Sequence, residues 1–527
     1  MRNRITRIAE RSFLPLSMVF LLIIVLNNTG IISLPFDIRF LIIILPLTAA
    51  LGLCWYKPRD HEQRIPFIPV ILAILFLFTL AIRLLPLFKS PVPLGYDSGF
   101  YKYTMEFYFN ALPQIPETAL ADWVKDMYPQ GLFVLSDIMN IISGTVSMDN
   151  IYYLFPLFEA LMLLPVFIVT RKMFGPKAGL LAAILYSFSL TQYESFTMLY
   201  FKTTFGMMFL LFAIYALEEK KYALMAIMFA ALGIFHRPEF LLFAIILIPF
   251  FILNRKVGII LSVIGTVVLI TPFWLPRLDI YMETLLSAFS GMGEVGSSGT
   301  FYGMGTYLLS TLAYLPFSII GVVYLIINKK WNSVLFYSII NLAIVVFRLF
   351  FFNRMIIPLD IIMIILAALG IERTLLNREV TNRVLGSAAV IILLIATLLP
   401  TINKAINTEP LITEKQLDVI EWMSENTEED AFILATSYDA PWVLGWSNRR
   451  VIAPGLFEWN AQNKQEWFDF FKANDPIEAA EFLSLYEGTI YIYHSHNHNN
   501  NLGLEKFSGE PFELIIEYDA VVYRYRR

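Results

Sequence analysis

One carboxylate and a few cations, set at the ends of long apolar runs, are the residues of this sequence best suited to chemistry. Asp97 lies in PVPLGYDSGFYKYTMEFY (91–108), in a turn-forming context of Gly95, Ser98 and Gly99. Phe100, Tyr101, Thr104, Phe107 and Tyr108 follow at spacings of three and four, which places them on one helix face. An acid at a membrane edge, followed by an amphipathic interfacial helix, is where chemistry is expected.

The cations are Lys202 in LYFKTTFG, Arg237 in FHRPEF, Arg348 in VVFRLFFF and Arg354 in FFNRMIIP. Charges near membrane depth are costly and are usually paired or functional. Any one of these could snorkel to lipid headgroups. Several facing one cavity would suit a phosphate or diphosphate, whose oxygens guanidinium binds in a bidentate manner. Glu239 follows Arg237 by two and either pairs with it, contacts a polar substrate or caps a helix hairpin. Glu194, beside Tyr193, is a second site acid or an interfacial residue. Asp122 and Asp126 read as a solvated face, and Glu159 and Asp360 as polar groups bonding neighbouring helices. His494, His496 and His498 alternate in HSHNHNNN. In an extended strand they would share a face, as a zinc site requires, although their loop is rich in Asn and holds no acid or Cys.

The elements that must position these residues follow from composition. The chain is 57% hydrophobic and 16% charged, with a mean hydropathy of +0.64. Apolar runs at 12–33, 38–56, 66–88, 150–170, 176–195, 198–217, 221–236, 238–254, 257–275, 304–327, 331–350, 353–372 and 384–401 predict about 13 transmembrane helices. A net charge of −4 gives no electrostatic case for nucleic acid. The single Cys54 excludes a disulfide framework. The basic start MRNRITRIAER precedes a run without a small-residue cleavage site, so it reads as a retained segment.

With a cytoplasmic N-terminus and 89–149 not crossing, the cytoplasmic loops hold Lys57/Arg59/Arg64, Arg171/Lys172/Lys177, Lys220/Lys221, Arg255/Lys256, Lys329/Lys330 and Arg373/Arg378/Arg383. That register puts Asp97, the 276–303 loop and the C-terminal segment on the external face. Loop 276–303, rich in Gly and Ser, reads as a mobile lid or a plain connector. Residues 129–147 are apolar enough to span, but Asp137, Asn140 and Ser143 predict a helix lying at the interface or against other helices. The segment 403–527 predicts a small soluble α/β domain. Its helices are expected near 413–425, 439–446, 463–473 and 476–486, and its strands near 431–436, 450–453, 489–493 and 513–525. No Walker loop, Rossmann fingerprint, Gly-x-Ser-x-Gly or zinc-protease motif occurs.

The chain resembles the GT-C superfamily of polytopic glycosyltransferases. The resemblance rests on LGYDSGFYKY, DMYPQGLFVLSDIMNIISG and LMLLPVFIVTRKMFGPKAGLLAAILYSFS. The segment LDVIEWMSENTEEDAFILATSYDAPWVLGWSNRRVIAP is similar to the start of the soluble domain in archaeal oligosaccharyltransferase-like members. The likeness spans most of residues 66–460. Where oligosaccharyltransferases carry a tryptophan-rich acceptor motif, this chain has TSYDAPW, with Tyr438 and Asp439 and no double tryptophan. Where their loop acids pair to hold a divalent metal, Asp97 has no second close acid.

The organisation expected is therefore two extra N-terminal transmembrane helices (1–65), a GT-C-like catalytic domain (66–402) and an external α/β domain (403–527). By resemblance, the activity is an inverting glycosyl transfer from a polyprenyl- or dolichyl-phosphate-linked sugar donor to a glycan, lipid or protein acceptor. Asp97 would serve as general base, and Lys202, Arg237, Glu239, Arg348, Arg354, Tyr101 and Glu194 would bind substrate. No motif requires a cofactor; Mg2+ or Mn2+ is the metal expected should Asp97 and Glu194 hold one. Transfer of a lipid-linked glycan to protein asparagine is the second reading. A non-catalytic transporter or lipid-binding protein is the third.

Overall fold

The computed structural model describes residues 2–32, 67–112, 130–278, 282, 302–349, 352–377, 383–454, 463–495 and 503–526. The apolar run 38–56, the acids Asp122 and Asp126, most of loop 276–303, and His496 and His498 lie outside the described residues.

The chain begins with α1 (Arg2–Asn28) and α2 (Ile68–Leu84), followed by α3 (Ser98–Asn110) and α4 (Gly131–Ser143). Next come α5 (Asp149–Tyr152), α6 (Phe155–Leu161), α7 (Leu163–Phe174), α8 (Pro176–Phe188), α9 (Leu190–Thr197), α10 (Phe201–Glu218) and α11 (Tyr222–Phe235). The apolar part closes with α12 (Arg237–Asn254), α13 (Val257–Trp274), α14 (Met304–Thr311), α15 (Leu315–Ile327), α16 (Ser333–Val346), α17 (Ile356–Arg373) and α18 (Arg383–Ile406).

Among the described residues, six helices are long and apolar enough to cross a membrane, or seven if the pair α14–α15, bent by 87°, counts as one broken span. The expected count of about 13 is not reached. Several of the runs fold as shorter or broken helices: α11 and α16 have 14 residues each, and run 176–195 breaks at Ser189. Lipid-facing surface is plain on α12 and α13, where Ile248, Ile252, Leu261, Ile264, Val267 and Val268 are exposed. Helix α4 has 13 residues, about 20 Å, too short for a hydrocarbon layer of about 30 Å. It buries Leu132, Phe133, Ser136, Asp137 and Asn140 and exposes Ile138, Ile141 and Ile142, the pattern of a helix lying along a boundary.

Two polar knots stitch the bundle. Glu159 on α6 faces Arg83 of α2 at 3.5 Å, both fully buried. The same acid accepts from the hydroxyls of Tyr186 (3.1 Å) and Thr204. Asp360 on α17 accepts from Ser189 (3.0 Å), Gln192 (2.8 Å) and Tyr314 (2.5 Å). Both acids thus bond neighbouring helices, and these bonds offset part of the cost of burying the two carboxylates.

The C-terminal region begins with α19 (Glu414–Asn426), whose Thr413 and Gln416 form a capping box. It continues through β1 (Phe432–Leu434), α20 (Ala440–Ser447), β2 (Arg450–Ile452), α21 (Lys464–Lys472), α22 (Pro476–Leu483), β3 (Ile490–Ser495), β4 (Phe512–Glu517) and β5 (Ala520–Tyr525). The sheet order is β2-β1-β3-β5-β4. β1 runs parallel to both β2 and β3, with Phe432 opposite Arg450 and Ile490, while β5 is antiparallel to β3 and β4.

Side chains alternate between the two sheet faces. Phe432, Leu434, Ile490 and Ile492 face an aromatic cluster with Trp467 and Phe470 of α21. Ile433, Val451, Tyr491 and Tyr493 face α20 and join a second core. That second core also contains Phe100, Tyr101, Phe133, Phe155, Tyr193 and Phe201. One continuous apolar core therefore runs from the sheet, through α20, into the loop that carries Asp97.

Candidate active site

Asp97 stands immediately before α3, and its side chain does not cap its own helix. The carboxylate is thus left for other partners. The approach to it is fixed locally. Gly95 adopts φ +82°, and a Cβ there would meet Leu199 Cγ at 2.8 Å and Met198 at 3.1 Å, so a side chain fits neither the backbone nor the space. The Leu94 amide donates to the Tyr152 hydroxyl at 3.0 Å, and Ser98 Oγ donates to the Gly95 carbonyl at 3.1 Å.

Lys202, in the first turn of α10, and Arg354, just before α17, both act electrostatically on Asp97. Burial pushes the Asp97 carboxyl above its usual range; Lys202 and then Arg354 pull it back, without cancelling the rise. Lys202 also feels Arg237, the first residue of α12. Its ammonium lies 5.6 Å from the centre of the Tyr101 ring. Tyr101 is itself buried, and burial followed by the charge of Asp97 pushes its hydroxyl up. Three cations therefore gather where α10, α12 and α17 begin. Helix N-termini carry partial positive charge and unsatisfied N–H groups, so the grouping suits an anion.

The other residues singled out in the sequence sit differently. Glu239 is fully buried and its carboxylate faces His236 Nδ1, while His236 Nε2 lies 3.3 Å from the Thr203 hydroxyl, next to Lys202. Glu194 pairs with Lys404 of α18 at 3.7 Å, and its charge acts on Tyr302. Arg348 is exposed, its guanidinium 5.9 Å from the Phe352 ring centre. His494 is buried in β3.

Two features near the site differ from what the sequence offered. Tyr96, directly before Asp97, donates its hydroxyl to the Ser437 carbonyl and packs edge-on against Tyr438, with ring centres 6.1 Å apart. Burial, then Asp97 and Asp439, push the Tyr96 hydroxyl up. The other is the partner of Glu239, which is His236 at i−3 in HRPE, where Arg237 was one of the partners expected.

The fold is similar to that of an oligosaccharyltransferase and of ArnT, in line with the fold that the GT-C resemblance implies. The chain is similar to the oligosaccharyltransferase of Archaeoglobus fulgidus in its apo form, with a TM-score of 0.64 and 15% identity, over 82% of this chain and 70% of that one. It is also similar to ArnT from Cupriavidus metallidurans bound to undecaprenyl phosphate, with a TM-score of 0.54 and 10% identity, over 87% of this chain and 98% of that one. The Archaeoglobus enzyme in complex with zinc and sulfate aligns with a TM-score of 0.58 and 15% identity, over 80% of this chain and 67% of that one. No family model matches the sequence, and no curated protein sequence matches it.

That last complex raises the question of a metal. Among the described residues, no three His, Cys, Asp or Glu side chains gather closely enough to hold one. The chemistry around the two expected ligands also fits poorly. Asp97 faces Lys202 and Arg354, and Glu194 faces Lys404. A divalent cation beside either acid would meet like charge.

Proposed function

We propose that this protein is a membrane glycosyltransferase that moves a sugar from a polyprenyl-phosphate-linked donor to an acceptor hydroxyl. The observation that carries the reading is the approach of Lys202 and Arg354 to one partly buried acid, Asp97, with Arg237 acting on Lys202 beside it, at one end of an apolar helix bundle. Apolar helices offer a bilayer-side home for a polyprenyl chain, and the cations offer one for its phosphate.

The acceptor oxygen attacks the anomeric carbon as its proton passes to Asp97. The bond from that carbon to the phosphate oxygen breaks, its electron pair leaves with the phosphate, and the anomeric configuration inverts. A phosphodiester carries one negative charge, while the released phosphomonoester approaches two. Three cations and one carboxylate carry a double positive charge with the donor bound, and this rises to three as Asp97 takes the proton, so the site complements the leaving group better than the bound donor. Interactions that strengthen along the reaction in this way raise the rate as well as the affinity. Tyr101 fixes Lys202 beside the acid. The His236–Glu239 pair holds the first turn of α12, and with it Arg237. The site faces the external side, in keeping with the basic loops at the opposite ends of the spans.

The test is a panel of polyprenyl-phosphate sugars, reconstituted with purified protein, following donor consumption and product with and without chelator. Asp97→Asn is expected to abolish transfer while folding is retained. Full activity of that variant removes Asp97 from the mechanism. Movement of lipid-linked sugar without a new glycosidic bond would favour a transporter instead.

A second reading, transfer to protein asparagine, is favoured by the likeness to the Archaeoglobus oligosaccharyltransferase. Against it, the Asp439 carboxylate is already engaged by Thr436 (2.9 Å) and Ser495 (2.8 Å). Glycosylation of an Asn-x-Ser/Thr peptide, lost with chelator, would decide for it.

A further inference from the structure

The C-terminal sheet changes winding direction between β1 and β3. The β1–β2 crossover passes through α20 on one face, and the β2–β3 crossover passes through α21 and α22 on the other. In open α/β sheets the crevice beyond the strand ends at such a switch point is the usual ligand position. Here Ser437, Tyr438 and Asp439 follow β1, and Ser495 ends β3. The side chain that reaches this end of the sheet is Tyr96, through its hydroxyl to the Ser437 carbonyl and its ring against Tyr438. The residue next to Tyr96 is Asp97.

A second contact lies alongside. Helix α20 crosses α3 with backbone against backbone. A Cβ on Gly99 would meet the Pro441 carbonyl oxygen at 1.8 Å, and one on Gly445 would meet Gly99 Cα at 2.4 Å. Lys102 Nζ donates to the Gly445 carbonyl at 2.8 Å and lies 5.7 Å from the Trp446 ring centre. Tyr96, Gly99 and Lys102 bracket Asp97 on both sides in sequence, and each is held by the same short stretch, 437–446.

We propose that the C-terminal α/β region is a working wall of the catalytic site, in which Tyr96, Gly99, Lys102 and Gly445 are positioning residues that set the place of Asp97 relative to the cations. This rests on the reading of Asp97 as the base. Lys202, Arg237 and Arg354 belong to the helix bundle, whereas the acid is registered against the C-terminal region as well as against Leu199 and Tyr152 of the bundle. Loosening the α3–α20 seam moves the acid and leaves the phosphate-binding cations in place. It should therefore lower kcat and spare the donor KM.

The experiment compares Tyr96→Phe, Lys102→Met and Gly445→Ala with Asp97→Asn in the full-length reconstituted protein. For each variant, kcat, donor KM, the pH profile and thermal unfolding are measured. Tyr96→Phe keeps the ring and removes one hydrogen bond, and about a tenfold loss of kcat is expected. Gly445→Ala forces the helices apart, and a loss of about 100-fold is expected, since a displacement near 1 Å is enough for that. In both, donor KM stays within about twofold, and the acid limb of the pH profile moves as the surroundings of Asp97 change. Should Gly445→Ala fail to fold, Tyr96→Phe and Lys102→Met decide. If those two lower thermal stability but keep kcat and the pH profile, the seam is merely structural and the proposal fails, while an inactive Asp97→Asn leaves the base assignment standing. If Asp97→Asn transfers sugar normally, the base assignment falls and the proposal with it.

Discussion

The ammonium of Lys202 stands 5.6 Å from the centre of the Tyr101 ring, one turn along the helix that begins after Asp97. The aromatic face of α3 thus does more than fill the core, because it also fixes the position of a cation from another helix. Tyr101→Phe preserves the ring and should keep donor KM near its original value. Tyr101→Leu removes the ring and should raise donor KM by roughly 3- to 10-fold, the span expected for a partly desolvated cation–π contact. Steady-state kinetics over a donor series would check it.

The pH dependence of transfer has a defined sign. The base must be a carboxylate to accept a proton, and burial holds the Asp97 carboxyl above the usual carboxylate range. The acid limb of kcat/KM is therefore expected above that range, with activity rising as pH rises through it. Arg354 pulls the Asp97 carboxyl down. Arg354→Gln should accordingly shift the limb to still higher pH, in addition to weakening donor binding. A limb that moves to lower pH in this variant would contradict the assignment.

Gly95 is expected to tolerate no side chain. Its φ is +82°, and a Cβ there would press on Leu199 and Met198. Gly95→Ala should cost about 1–3 kcal/mol of stability and lower kcat by more than about tenfold, since Asp97 lies two residues on. Thermal unfolding in detergent, together with turnover, would separate the two effects.

The buried Arg83–Glu159 pair gives a stability prediction independent of turnover. Breaking it by Arg83→Met alone or Glu159→Gln alone leaves an uncompensated partner and should cost about 3–5 kcal/mol. The double variant should recover much of that loss, because Gln still accepts from Tyr186 and Thr204, which both bond Glu159. A double-mutant cycle by chemical unfolding measures the coupling.

How much of this was legible in the sequence depends on how local the signal is. In the C-terminal region, periodicity and caps are local, so α19 falls within one residue of its expected bounds, with its capping box visible in TEKQ. The expected strand 513–525 is instead two antiparallel strands. The turn between them carries Tyr518 and Asp519 rather than Gly or Pro, so the alternating pattern reads straight through. Six of the expected spans are long and apolar enough among the described residues, and hydropathy does not see helix breaks such as Ser189, whose hydroxyl is drawn to Asp360.

At the candidate site, charges at the ends of apolar runs were conspicuous, and Lys202, Arg237 and Arg354 share one neighbourhood. Arg348 and Glu194 gave the same sequence signal. Their helix phase and partners, Phe352 and Lys404, set them apart from that group. Tyr96 was not legible as a site residue, because its partner Ser437 is 341 residues away in sequence.

That separation has a biosynthetic consequence. Lys102 meets the Gly445 carbonyl across 343 residues. At a synthesis rate of about 5–20 residues per second, α3 waits roughly 17–70 s for α20 to emerge. Throughout that interval the face of α3 that includes Gly99 lacks the surface it later packs against. The nascent chain can insert its spans and gather its cations before the seam around Asp97 exists. On this order of events, a chain interrupted before residue 437 is membrane-inserted but inactive, and competence for transfer arrives only with the segment from 437 onward.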